Sequence, residues 1–424
     1  MTFAGTGAGL ALDFPSPPVG SVVEDVVTEE AGVRPPQGAS LHVTALVSEG
    51  EVVARGAALA CMRHAPDICF VAPIAGRVAR LDLMPGRKLS EIVLFREAAQ
   101  AVAQHDTGRA DAGVAGLRHL MQVSGFWPRI RRRPFGGMPG QGEAPAAIVV
   151  MAADTRPFAP DPTRAIDGQD EEFARGLAAL ARLTDGPVLV VCCRDAPVTL
   201  DRGLGEGRVR LTPCGSRHPQ GSAGIRIHDL FPAALDLPVW DLNAEDVAAL
   251  GTLVETGELP MTRLVTIAGA ALREAGMVRT HPGADLRQLT QRRVERGPHV
   301  LMSGSPLDGH VAQWLAPRHR QITVLPREDA PARPHWLIAA LTRSARADPV
   351  IPTAALTQAL AGALPATPFI RALSAGDDET AMKLGVLSLL EEDLALADYV
   401  LSQSGQLTTE LRVMLDRIQT EYAA

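Results

Sequence analysis

The sequence predicts a multidomain chain of α/β and β units, and three observations carry that prediction. Residues 40–97 are short apolar runs broken by Gly50, Gly56, Gly76 and Gly86, the pattern of strands joined by tight turns. Residues 144–193 read strand, helix, strand. After residue 326 a Pro- and Arg-rich stretch gives way to helical periodicity. At 424 residues the chain exceeds one ordinary core, and its 46% apolar content supplies several. Aromatics are only 4%, so those cores are built of Ala, Val and Leu.

Composition excludes some function classes. A formal charge of -7 leaves no basic footprint for nucleic acid. No run approaches the roughly 18 apolar residues that span a bilayer, and "MTFAGTGAGLALDF" lacks the basic start and long apolar centre of a signal peptide. A soluble, cytoplasmic protein is expected. The five cysteines (Cys61, Cys69, Cys192, Cys193, Cys214) are odd in number and irregular in spacing, which argues against a disulfide framework and for a reducing compartment. Nor do they show the repeated short spacings of iron–sulfur ligation.

Taken in order, "EGEVVARGAAL" and "APIAGRV" resemble the two halves of a barrel-sandwich of the biotinyl and lipoyl carrier type. The connecting "ACMRHAPDICFV" has no Lys to carry a prosthetic group, so the fold is expected without the swinging arm. Residues 98–130 carry helical spacing. Arg129, Arg131, Arg132 and Arg133 then form a basic run, read either as a solvated inter-domain loop or as a contact for phosphate, head groups or an acidic partner. "AAIVVMAAD" and "PVLVVCCRD" are strands buried on both faces, with the amphipathic "QDEEFARGLAALARLTDG" between them; this βαβ unit predicts a Rossmann-like domain. The turn after its first strand, "DTRPFAPDP", lacks the bare glycine backbone that a pyrophosphate requires, which argues against dinucleotide binding. Residues 263–325 suggest a small mixed α/β unit, and "PREDAPARPHWL" a linker to the helical end.

The stretch "GSRHPQGSAGIRIHDL" (215–230) sets His218 and His228 ten residues apart among glycines. That spacing is not the short local spacing of a zinc site, so no metal is expected. "AGIRIHDLF" reads as strand, where a phosphate loop needs a helix. The leading reading is a turn in which Pro219, Gly221 and Gly224 fix the backbone while the histidines pack or hydrogen-bond.

The same stretch resembles the H-P-A-G-x-x-G-x-x-I-H signature of the A subunit of the sodium-translocating NADH:quinone oxidoreductase. "SGFWPRIRRRPFGGMP" (124–139), "VWDLNAEDVAALGTLVETGEL" (239–259), "GADLRQLT" (283–290) with "VLMSGSPLDG" (300–309), and "LSAGDDETAMKLGVLSLLEEDLALADYV" (373–400) match further segments in order. The chain departs from the family at "YVLSQSGQ", where Y-V-C-P-G-K is usual, and at "ALTRSARADPVIP", where H-G-G-E-R belongs. "RIRRRPFGG" stands where related flavin-binding subunits have a glycine loop.

The resemblance implies a barrel-sandwich region within 1–105, a helical connector with the Arg-rich loop at 106–143, and a Rossmann-like domain at 144–262. A small β-grasp-like (SLBB) domain at 263–325 and a linker with helical domain at 326–424 complete it. It implies a peripheral component on the cytoplasmic side of the bacterial inner membrane, partnered by the other subunits of the complex, chiefly the membrane-embedded B subunit. The complex uses NADH, flavins, iron–sulfur centres, ubiquinone and Na+, and this chain is expected to bind no cofactor and to hold no catalytic residue. His218, Pro219, Gly221, Gly224 and His228 are candidates for proximity to quinone or to the B subunit, at the C-terminal edge of the Rossmann-like sheet. The four arginines are expected at a surface facing the membrane-embedded partner. A flavin- and NADH-binding redox protein of the Rnf C type, or a binding protein that has left the complex, is the alternative.

Overall fold

The glycine-punctuated runs fold as two small facing sheets in the computed structural model, which describes residues 7–98, 101–111, 113–195, 198, 200, 203–327, 354–402 and 405–422. β1 (Val19–Asp25) leaves this region to join a distant sheet. β2 (Glu30–Val33), β3 (Val43–Ala45), β4 (Val52–Val53), β5 (Ala58–Met62), β6 (Ala65–Val71), β7 (Gly76–Met84) and β8 (Lys88–Arg96) form the barrel-sandwich. Its sheets, ordered β2-β8-β7-β4 and β3-β5-β6, enclose Val43, Leu59, Ile92 and Leu94. Cys61 and Cys69 stand opposite one another in the β5–β6 ladder and are joined by a disulfide. The expectation against disulfide pairing is thus corrected for this one pair, while Cys192, Cys193 and Cys214 are free. Cross-strand register, invisible in linear spacing, made the pair.

The helical reading of 98–130 starts late. Residues 101–103 are extended: Arg55 N donates to Ala101 O (2.9 Å), and Ala103 N donates to Arg55 O (2.8 Å). Helix begins only with α1 (Gly108–Asp111) and α2 (Val114–Val123). β9 (Arg131–Arg133) then opens a second sheet, followed by β10 (Ala147–Ala152), α3 (Pro162–Ala165), α4 (Asp170–Ala181), β11 (Val188–Cys193) and β12 (Val209–Cys214). α5 (Ala223–Leu230), β13 (Val239–Asn243) and α6 (Ala244–Thr256) complete the unit. The order is β12-β11-β10-β13-β9, parallel except for β9. Local chemistry sets the helix ends. Three acidic residues open α4 near its positive pole, Asn243 caps α6 through Glu245 N (3.1 Å), and Gly257 ends α6 at φ 76°.

The expected strand at 223–231 is instead the helix α5. Ile225 packs among the C-terminal helices and Ile227 against the sheet, because residues two apart on a helix face opposite sides. A short helix pressed between two cores therefore shows the alternation of a strand.

The third unit contains β14 (Arg263–Ala268), β15 (Ala275–Thr280), α7 (Leu286–Thr290), β16 (His299–Ser303), β17 (His310–Val311) and β18 (Gln321–Pro326). With β1 they make a six-stranded sheet ordered β1-β15-β14-β18-β16-β17. Most of the expected linker, 328–353, lies outside the described residues. The C-terminal helices are α8 (Ala354–Ala359), α9 (Ala366–Ala375), α10 (Asp378–Lys383), α11 (Glu391–Val400) and α12 (Gln406–Tyr422). Among the described residues, no helix is long and apolar enough to cross a membrane.

α4 and α6 lie together at backbone distance because each contributes a glycine. A Cβ on Gly251 would lie 1.8 Å from Glu172 O, and one on Gly176 1.9 Å from Val247 O. Gly251→Ala should therefore lower stability in urea unfolding by about 2 kcal/mol or more, because neither backbone can yield. Gly142→Ala, with open space around it, should leave the midpoint unchanged. Equal midpoints for the two variants would mean that the helices are free to separate.

Candidate functional site: a crevice closed by its own chain

Strand order reverses at β10, which lies between β11 and β13, and open α/β sheets place ligands at the carboxyl ends of strands beside such a switch. Here the loops after β10 and β12 meet. Thr155 Oγ1 accepts a hydrogen bond from Gly221 N (2.9 Å) and lies 3.2 Å from His218 Nδ1. A Cβ on Gly221 would stand 2.7 Å from Thr155 N, so only glycine permits this approach. Leu10, in the N-terminal segment, exchanges backbone hydrogen bonds with His218 at 2.7 and 3.1 Å, and Gln220 Nε2 donates to Ala8 O (2.9 Å). Arg156 grips Asp154 (2.5 Å) and reaches Asp308 of the third unit (3.0 Å). His218 is buried, and that burial pushes its imidazole down to about 4 against the pull of Asp154 and Asp308.

The glycine turn leads into the N-terminus of α5. Gly224 N donates to Asp393 Oδ1 (3.0 Å), and a Cβ on Gly224 would lie 2.0 Å from Asp393 Oδ2. Glycine backbone plus a helix N-terminus is an anion cradle, and the anion is a carboxylate of this chain. Asp393 also accepts from Leu390 N (2.9 Å) and Arg133 Nη2 (3.4 Å). Burial and the adjacent Glu392 push its carboxyl up to about 6, with Arg133 opposing. His218 and His228 are not brought together. His228 sits in the last turn of α5, where its ring lies against Gly385; a Cβ there would be 2.2 Å from it. Burial lowers the His228 imidazole as well. Among the described residues, no group of three or more His, Cys, Asp or Glu side chains is arranged for a metal ion.

The arginine run is not the exposed surface it was expected to be. β9 pairs antiparallel with β13, and acidic partners from distant sequence close over it. Arg133 is wholly buried, bonded to Asp241, to Ser388 O (3.2 Å) and to Glu392 and Asp393 (both 3.4 Å). Arg129 is buried between Asp246 (3.4 Å) and Pro260 O (2.8 Å). Arg131 and Arg132 keep part of their surface but are paired with Glu392 (2.5 Å) and Glu143 (2.8 Å). Arg318 binds Asp241 (2.7 Å) and Arg129 O (2.7 Å); Arg320 binds Glu245 (3.0 Å) and Asp246 (2.8 Å); Arg263 binds Asp246 (3.1 Å). Burial works against the Asp246 charge, yet Arg263, Arg320 and Arg129 hold its carboxyl well below the usual range. The network bonds the α/β unit to both the third unit and the C-terminal helices.

Linear reading missed Asp154, Thr155, Arg156, Asp308 and Asp393. A signal existed: "ADTR" is a charged turn directly after a wholly apolar strand. "NAEDV" and "EEDLAL" set acidic residues at helix starts, where they serve as more than caps.

Barrel-sandwich, Rossmann-type unit, small mixed unit and helical end, packed around a crevice filled by the chain's own groups, define a modular multidomain protein of mixed α/β and β units. The NqrA N-terminal barrel-sandwich hybrid domain matches residues 7–97, the NqrA second alpha/beta domain 113–259 and the NQRA C-terminal domain 264–313. The A subunit of the Na(+)-translocating NADH-quinone reductase of Serratia proteamaculans (strain 568) is 30% identical over 97% of this chain and 98% of that protein. Its namesake from Cellvibrio japonicus (strain Ueda107) is 32% identical over 89% and 91%. This chain belongs to the NqrA family, the A subunits of Na(+)-translocating NADH-quinone reductase. Among solved structures, NAD+-reducing [NiFe]-hydrogenase in the H2-reduced state overlaps 74% of this chain and 62% of its own, at TM-score 0.37 and 12% identity, and adds nothing to the assignment.

Removing one partner of a buried ion pair strands the other. Arg133→Met should cost about 3–5 kcal/mol in urea unfolding, while Arg131→Ser at the partly exposed rim costs under about 1 kcal/mol. Similar losses from both would dissolve the distinction between core and rim.

Acid should also loosen the fold. Burial pushes His218, His281 and His319 each down to about 4, whereas the unfolded chain takes up these protons near 6.5. The unfolded state therefore binds more protons across that window, and stability falls as pH drops from about 6.5 towards 4. Asp393, raised to about 6, works the other way, as do Asp229 and Asp398, but these three carboxyls stand against six histidines that burial lowers, His105, His228 and His310 being the others. The urea midpoint should be lower at pH 5 than at pH 7.5, and less so in His218→Gln; a midpoint equal or higher at pH 5 contradicts the assignment.

Proposed function

We propose that this chain is the peripheral A subunit of a Na+-translocating NADH:quinone oxidoreductase, seated on the cytoplasmic side of the bacterial inner membrane against the membrane-embedded B subunit. In this reading it carries no redox cofactor of its own. Electrons pass from NADH to quinone through flavins and iron–sulfur centres of the other subunits, and this one supplies docking surface and rigidity. Family membership along nearly the whole chain supports the assignment to the complex. The cofactor-free role rests on one observation: the crevice at the sheet's switch point is filled by the chain's own groups, with Asp393 on the helix N-terminus and Arg156 clamped between Asp154 and Asp308. A flavin phosphate entering there would have to displace a buried carboxylate, which disfavours the alternative of a redox protein.

His218, Pro219, Gly221 and Gly224 then serve assembly by shaping this closed wall, and His228 by seating α5 on the C-terminal helices. A direct hydrogen bond from His218 to quinone is disfavoured, since the ring is 3% exposed.

Co-expression with the membrane subunits tests the reading. The chain should co-purify with them, its omission should abolish quinone reduction by NADH, and the purified protein should show no flavin absorbance. Failure to associate would favour a free-standing protein. One flavin per chain, bleached by NADH, would favour the redox alternative.

A further inference from the structure

Two of the three free thiols stand side by side at the carboxyl edge of the α/β sheet. Cys193 ends β11, Cys214 ends β12, and the two are direct partners in the parallel ladder. Neighbouring strands run about 4.8 Å apart, inside the Cα separation of about 4.4–6.8 Å that a disulfide spans. The side chains share a face of the sheet. Both belong to the cluster beneath α5, whereas Cys192 points through the sheet into the opposite core. Accessibility is unequal: Cys193 is half-buried, while Cys214 is wholly buried.

We propose that Cys193 and Cys214 form a thiol–disulfide exchange site for low-molecular-weight disulfides, with Cys193 the attacking thiol and Cys214 the resolving one. The hydrogen bond from Cys214 favours the Cys193 thiolate, while that contact and burial keep Cys214 protonated until the second step. The Cys193 thiolate attacks one sulfur of the small disulfide, forming a mixed disulfide and expelling one small thiolate. Cys214 passes its proton to the first expelled small thiolate, attacks the Cys193 sulfur, forms the Cys193–Cys214 bond and expels the second small thiolate, which is protonated from solvent. Two protein thiols are oxidised and one small disulfide is reduced to two thiols. The new bond ties β12 to β11 one residue before Gly215, and so tethers the base of the loop that walls the crevice. This chemistry does not depend on membership of the sodium-translocating complex.

Glutathione disulfide, added to the native full-length chain, is the probe. The wild type should release about two glutathione thiols per chain, keep no adduct, and yield a peptide linkage between Cys193 and Cys214 on mass mapping, with Cys192 still free. Cys214→Ser should stop at a stable glutathione adduct on Cys193, and Cys193→Ser should not react. Linkage mapping on the wild type decides the matter alone if either variant fails to fold. A lasting adduct on wild-type Cys193, a linkage through Cys192, or no release of glutathione would overturn the proposal.

Discussion

The α/β unit, the third unit and the C-terminal helices meet across a buried ionic seam of arginines and carboxylates. Asp241 in β13 accepts Arg133 from the adjoining edge strand and Arg318 from the third unit. Asp246, in the first turn of α6, accepts Arg129, Arg263 and Arg320. Burying charges costs much of what their attraction returns, so such a seam adds little to net stability when intact. Its value is conditional. Each side chain is tolerable only while its partner is present, so the units must meet in one arrangement or leave a charge stranded.

The crevice follows the same logic. Sheet order and backbone make a place for an anion at the start of α5, and helix chemistry makes it favourable. What occupies it is Asp393, carried in by α11 and braced by Arg133. A fold that places ligands at this edge has here turned the feature into a joint between domains. The neutral, buried His218 and the Arg156 clamp close the adjoining wall. Asp393 therefore belongs both to the seam and to the crevice, and the two cannot be altered independently.

The elements were largely legible where local pattern and local structure agree. The barrel strands between their glycines, the βαβ core and the helical end follow from periodicity and turn chemistry alone. α5 was misread because its alternation reflects two flanking cores, and neither core is visible from eight residues. The site was legible only in part. The His218 stretch pointed to the correct edge of the sheet, but the residues that close it arrive from positions 10, 154–156, 308 and 393.

By itself the sequence determined the domain types, the lack of a glycine phosphate loop after β10, and the family through its ordered segments. Those properties depend on residues near one another in the chain, where spacing and backbone preference act directly. Only the tertiary structure decided that Arg129 and Arg133 are buried, that Cys61 meets Cys69, and that Cys193 meets Cys214. Charge runs and cysteine counts are silent on such matters, because the sign of a burial energy depends on the partner. Here the partners of Arg133 lie more than a hundred residues away.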